Sequence, residues 1–162
     1  MSIDPTARLS FIHARIIGYL QGLTITGSPT ILVESTHPVQ ATRWARVTFT
    51  PLYSGWSGRY SSSQIVADSR ELVTVDLFWP SGDTDAAPDL YEIDRAAEEI
   101  AHGLRSIALS VLDYTVPAVP TVVPGARIFA VLPPTTQQLD PQGGLVRRQV
   151  TAEVRWYLRH TA

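Results

Sequence analysis

The 162-residue sequence predicts an α+β fold, an antiparallel or mixed β-sheet with two main helices packed on one face and a long inter-strand loop. Two stretches repeat their apolar residues at three- and four-residue spacing, as amphipathic helices do. Three others alternate apolar and polar residues one by one, as half-buried strands do. Their order is helix, strands, helix, strands, with connections suited to hairpins and sheet edges. Residues 1–162 are expected to form one domain, because domains commonly run to about 100–150 residues.

Asp4-Pro5 reads as the first helix start, an aspartate N-cap followed by proline where its missing N–H costs nothing. Leu9, Ile12, Ile16, Leu20 and Leu23 then form one apolar stripe, which Gly27-Ser28-Pro29 ends. Ile31-Leu32-Val33 is too short to assign. Arg43 to Pro51 alternates, with Ala45, Val47 and Phe49 on one face and Arg46, Thr48 and Thr50 on the other. Glu71 to Trp79 does the same, with Val73, Val75, Leu77 and Trp79 opposing Thr74, Asp76 and Phe78. Between them, Leu52 to Arg70 is rich in serine and glycine and reads as a long loop, which in a folded domain is commonly functional.

Pro80-Ser81-Gly82-Asp83 breaks the second strand, and an acidic stretch leads into the clearest periodicity in the chain. From Ile93, the residues Ala97, Ile100, Leu104, Ile107 and Val111 predict a helix lying across the sheet. Pro117, Pro120 and Pro124 make Thr115 to Gly125 an extended linker. Arg127 to Leu132 reads as a short strand, Asp140 to Gly144 as a tight turn, and the final segment as a long strand. In that last strand Val150, Ala152, Val154, Trp156 and Leu158 oppose Gln149, Thr151, Glu153, Arg155, Tyr157 and Arg159.

Composition removes several chemistries. The absence of cysteine excludes disulfides, thiolate metal sites and cysteine nucleophiles. All 13 basic residues are arginine, so the standard phosphate-loop lysine and Schiff-base chemistry are absent too. Arginine-biased coding or, alternatively, selection for planar, fork-like contacts accounts for that bias, and composition alone does not separate the two. A net charge of −2 argues against a generic nucleic-acid grip. Charged residues make up 17%, below the usual value of about 25%, so neutral groups or partner chains must complete the surface. The N-terminus lacks the apolar run of a secretory signal, no window reaches the about 20 apolar residues of a membrane span, and folding in a cytoplasm is expected.

No catalytic constellation, metal site or cofactor is expected. His13, His37, His102 and His160 lack the spacing of a metal helix, and Glu98 and Glu99 point about 100° apart on a solvated helix face. There is no GxSxG elbow, and Gly55-Trp56-Ser57-Gly58 lacks what a phosphate loop needs. Trp56, Arg59 and Tyr60 are residue types enriched where partners bind, and are candidate interface residues. Arg147 and Arg148 are the other candidates; as neighbours on a strand they point to opposite faces. For an enzyme with a site at a subunit boundary, Asp76, Glu153 and Arg155 are the residues that could cluster.

The whole-chain order carries a resemblance. An N-terminal amphipathic helix precedes Arg43-Trp44-Ala45-Arg46-Val47-Thr48-Phe49 and a gap of small polar residues. Then Glu71 to Trp79 runs into Pro80-Ser81-Gly82 before the alanine-rich Ala96-Ala97-Glu98-Glu99-Ile100-Ala101, and Val154-Arg155-Trp156-Tyr157-Leu158 closes the chain. This pattern resembles the tail terminator proteins of long-tailed, siphovirus-like bacteriophages and related tail-like particles. It departs from them in the acidic insertion Asp83 to Leu90 and the proline-rich Thr115 to Gly125. The resemblance implies a homo-hexameric ring in the virion, at the tail-neck junction, assembled in the host bacterial cytoplasm. Its implied partners are the major tail tube protein, which it stops from polymerising, and a head-tail connector or stopper protein. Genomic DNA would pass through the lumen without specific binding. Another neck or head-closure component would share these demands and dock elsewhere.

Overall fold

The first helix, α1 (Pro5–Gln21), begins at a proline, whose fixed φ suits the first turn. This computed structural model describes the backbone of residues 5–33, 43–61, 64–80, 86–116 and 118–161; within those spans it does not describe the side chains of 5–9, 33, 53–61, 64–68, 86–89, 142 and 158–161. Ile12, Ile16 and Leu20 are fully buried along α1, as the stripe predicts, while Leu9 lies outside the described side chains. The helix stops at Gln21, six residues before Gly27, and a turn leads to β1 (Thr30–Val33).

β1 pairs in parallel with β2 (Trp44–Ser61), which pairs antiparallel with β3 (Gln64–Pro80). After α2 (Ala86–Arg105) come β4 (Ala108–Asp113), β5 (Thr121–Ala130), β6 (Thr135–Gln142) and β7 (Leu145–Thr161). The sheet order is β1-β2-β3-β7-β5-β4, and β6 pairs with the first half of β7 beside β5. The architecture is α+β with a seven-stranded mixed sheet.

Strand parity sets the core. Ala45, Val47, Val73, Val75, Leu77, Trp79, Val150, Ala152 and Val154 point to one face and are buried there. Against them pack Ile93, Ala96, Ala97, Ile100 and Leu104 of α2 together with the α1 stripe. Each such large aliphatic contributes about 1.5–3 kcal/mol by leaving water. Tyr19 Oη donates to Gly103 O at 2.8 Å and ties the two helices to each other.

Four further expectations differ from the structure. The loop predicted over 52–70 is instead the far part of the β2–β3 hairpin, with pairs such as Tyr53↔Arg70 and Trp56↔Ala67. Serine and glycine favour strands poorly, but β7 pairs alongside β3 from end to end and supplies the missing hydrogen-bond partners. The second helix ends at Arg105, short of Val111. His102 and Arg105 sit in its last turn, where cations suit the helix dipole, and Ile107 N closes a tight turn on Leu104 O at 3.3 Å. Part of the proline-rich linker is β5, which accepts Pro124 and Gly125 near a register irregularity. The expected turn from Asp140 contracts to Gly143 and Gly144, both at positive φ, because β6 runs to Gln142.

Candidate interaction surface

The second face of the sheet carries no helix, and the strand register fixes what lies on it. Trp44, Phe78, Arg147 and Leu139 form one row across β2, β3, β7 and β6. Beside it run Arg46, Asp76, Gln149 and Gln137, and then Thr48, Thr74, Thr151 and Thr135. Four threonines in register on adjacent strands are spaced about 4.8 Å apart, and each presents a hydroxyl and a methyl on a pleated surface. Farther along β7 lie Glu153, Arg155 and Tyr157, next to Arg70 on β3 and Phe129 and Arg127 on β5.

Phe78 and Asp76 are 5% exposed although no helix covers them. Their row neighbours do the covering. The Trp44 ring stacks on Phe78 with centroids 3.9 Å apart, and the guanidiniums of Arg46 and Arg147 lie 5.6 and 5.3 Å from the same ring. A stack contributes about 0.5–1.5 kcal/mol and each cation about 0.5–1 kcal/mol, so the cluster anchors both arginines on the sheet. Asp76 accepts from Gln149 Nε2 at 2.9 Å and from Arg46 at 3.4 Å. At the other end, Arg155 lies 5.9 Å from the Phe129 ring, and Arg70 lies 3.6 Å from Glu153.

The helix-covered face carries its own polar contacts, each joining a helix or turn to another element. Glu71, 2% exposed, holds His13 Nε2 at 2.9 and 3.1 Å from its two oxygens, and the His13 ring stacks on Phe49 at 3.9 Å. Arg148 points inward and donates to Asp94 Oδ1 on α2 at 2.5 Å. Trp79 Nε1 donates to Glu92 Oε1 at 3.2 Å, and Arg43 Nε lies 2.8 Å from that oxygen. Glu99 accepts from Thr26 N at 2.6 Å and Thr26 Oγ1 at 2.8 Å. Burial pushes its pKa up, but the two Thr26 hydrogen bonds and Arg95 outweigh it and hold the carboxyl below its usual range.

Arg147 and Arg148 thus sit on opposite faces as the sequence predicts, Arg148 as a structural pair and Arg147 on the helix-free face. Trp56, Arg59 and Tyr60 belong to the far part of β2, and their side chains lie outside the described residues. Asp76 and Glu153 do not converge: Glu153 pairs in register with Leu72, four residues from Asp76, or about 13 Å along the strand. Glu98 is exposed and Glu99 is bound to Thr26, so the two do not form an acid–base pair. Among the described residues no three His, Asp or Glu side chains are grouped to hold a metal, and no helix is long and apolar enough to cross a membrane. Sequence reasoning missed the Phe78 cluster, although period-two parity already put Phe78 and Asp76 on the face opposite the core.

No protein-family model and no curated protein matches the chain. A solved structure whose designation describes no function has a similar fold, with a TM-score of 0.57 at 11% sequence identity, covering 96% of each chain. At that identity the likeness speaks for the fold alone.

Proposed function

We propose that this protein is a structural, non-enzymatic component of a phage tail or tail-like particle, forming a homo-hexameric ring at the head-proximal end of the tail tube. There it ends tube polymerisation and joins the tail to the neck. The observation that carries the reading is a sheet whose outer strands, β1, β4 and β6, are unlike, and a long β2–β3 hairpin, with helices on one face only. A closed ring is built from heterologous contacts, so each protomer needs two different complementary surfaces. Docking to the major tail tube protein below and to a connector or stopper protein above needs two more. Unlike edges, a helix-free face and a long hairpin supply such surfaces, and the whole-chain resemblance described above points the same way.

Native mass spectrometry of the protein alone and with its tube protein tests this reading. A hexamer in either sample is expected, and particles lacking the protein should carry tails of uncontrolled length or tails not joined to heads. A strictly monomeric protein that is also absent from the tail-neck junction in micrographs would overturn it. Within the ring, Trp56→Ala and Arg59→Ala should impair joining more than protomer stability.

A further inference from the structure

We propose that the end of the β4–β5 hairpin is a valine knob that seats in the cleft between α1 and β1 of a second copy of this chain, joining copies head to tail. The inference rests on the ring reading and names the protomer contact within it. Val116, Val119 and Val122 are 60, 67 and 60% exposed at that hairpin end. Such ends ordinarily carry glycine, asparagine, aspartate or serine, so three outward valines hold apolar surface in water that a contact would remove. Between Asp113 and Arg127 the chain carries no charged residue, so docking takes no charge out of water.

The knob is built in advance. Asp113 Oδ1 accepts from Thr115 N at 2.8 Å and from Thr115 Oγ1, and Val119 N closes a turn on Val116 O at 3.0 Å. The Tyr114 ring lies 6.1 Å from that of Phe11 and ties the hairpin end to α1. A valine side chain has few rotamers to lose, and a segment already held in its bound shape gives up little entropy on docking.

The matching surface lies at the other end of α1. Leu23, Ile25, Pro29 and Ile31 line a cleft of about 390 Å³ where the chain turns from that helix into β1, with the more exposed Thr24 and Ser28 beside them and no charged residue in the lining. An apolar floor within a polar border is the make-up of a protein–protein contact. Knob and cleft do not meet within one chain, because β4 and β1 end the strand order β1-β2-β3-β7-β5-β4, about 24 Å apart along the sheet. A patch that fits a pocket elsewhere on the same molecule makes a heterologous contact, which closes a ring when the rotation per copy allows and otherwise runs on as a filament. Stable interfaces bury about 800 Å² per partner, more than three valines supply, so one contact is weak and ring closure, which binds every copy twice, holds the assembly.

The chain has no cysteine, so disulfide crosslinking of the full chain tests the contact without background. Mild oxidation of Thr24→Cys/Val119→Cys should give a ladder of linked copies, whereas Thr24→Cys/Leu132→Cys, which uses an exposed site at the opposite end of β5, should give little. Adding Val116→Asp to the first pair should cut the linked yield at least about tenfold, since the contact would have to desolvate a charge. Val116 is exposed and opens its turn, a position that accepts aspartate, so thermal melts followed by circular dichroism should be unchanged. A ladder no stronger than the Leu132 control, with or without the tube protein, or one unmoved by Val116→Asp, would overturn the proposal. So would loss of tube-protein binding in Val116→Asp without crosslinking between copies, which would assign the knob to the tube. Native mass spectrometry separates the two readings: hexamers that survive Val116→Asp keep the ring and overturn this contact, and linked chains that never close at six keep the contact and overturn the ring.

Discussion

Replacing His13 with alanine should cost about 3 kcal/mol of folding stability, and the contacts of Glu71 say why. Glu71 stands on the core side of β3, 2% exposed, and among the described residues its side-chain partner is His13 Nε2 at 2.9 and 3.1 Å. Removing one partner of a buried pair costs about 3–5 kcal/mol, because the other is left desolvated without compensation. The lost stack on Phe49 adds about 1 kcal/mol. His13 is 26% exposed, so water can enter where its ring stood, which reduces the share of the broken pair to about 2 kcal/mol and the total to about 3 kcal/mol. For a chain of this length that is a Tm lower by about 6–12 °C, or a urea midpoint lower by about 1.5 M at unchanged slope. Adding Glu71→Gln to His13→Ala should recover at least half of the loss, since an amide is cheaper to bury than a charge, and His13→Gln alone should cost about 1 kcal/mol. A cost below about 1 kcal/mol for His13→Ala, or a double variant no more stable than the single one, would refute the reasoning.

Gly27→Ala should destabilise the protein by about 3 kcal/mol in the same urea assay. Its φ is +80°, and an added Cβ would stand 2.3 Å from Glu92 Oε1 and 2.9 Å from the buried Trp79 ring. Glu99 should make stability acid-sensitive. Its carboxyl is held below the ordinary range in the folded state, so its contribution is complete above the unfolded-state value of about 4.3 and is lost as pH falls through the lower folded value. Glu99→Gln should therefore be less stable than wild type by about 1 kcal/mol at neutral pH, and the gap should close in strongly acidic urea titrations.

Much of the fold was legible because it rests on local periodicity. Val73, Val75, Leu77 and Trp79, and Val150, Ala152, Val154 and Trp156, are buried as their alternation predicts, and Ile12, Ile16 and Leu20 as their helical spacing does. The overrun of the second helix has a local cause. Ile107, Leu109 and Val111 are all buried on the chain leading into and along β4, yet Ile107 and Val111 also continue the alternating three- and four-residue spacing that runs through Leu104, so two periods fit the same residues. The hairpin over 52–70 was not legible, because its strands form by pairing with each other and with β7, more than eighty residues away in sequence.

By itself the sequence determined the chemistry that is absent, the two helical stripes and the parity of each long strand, since these follow from composition and from backbone repeats of 3.6 and 2 residues. That Arg147 and Arg148 face opposite ways was among them. Only the tertiary structure decided which rows meet: that Arg148 finds Asp94, that Glu71 finds His13, and that Arg70 is set against Arg155. Register between distant strands depends on how all of them jointly bury one face, and no local pattern carries that information.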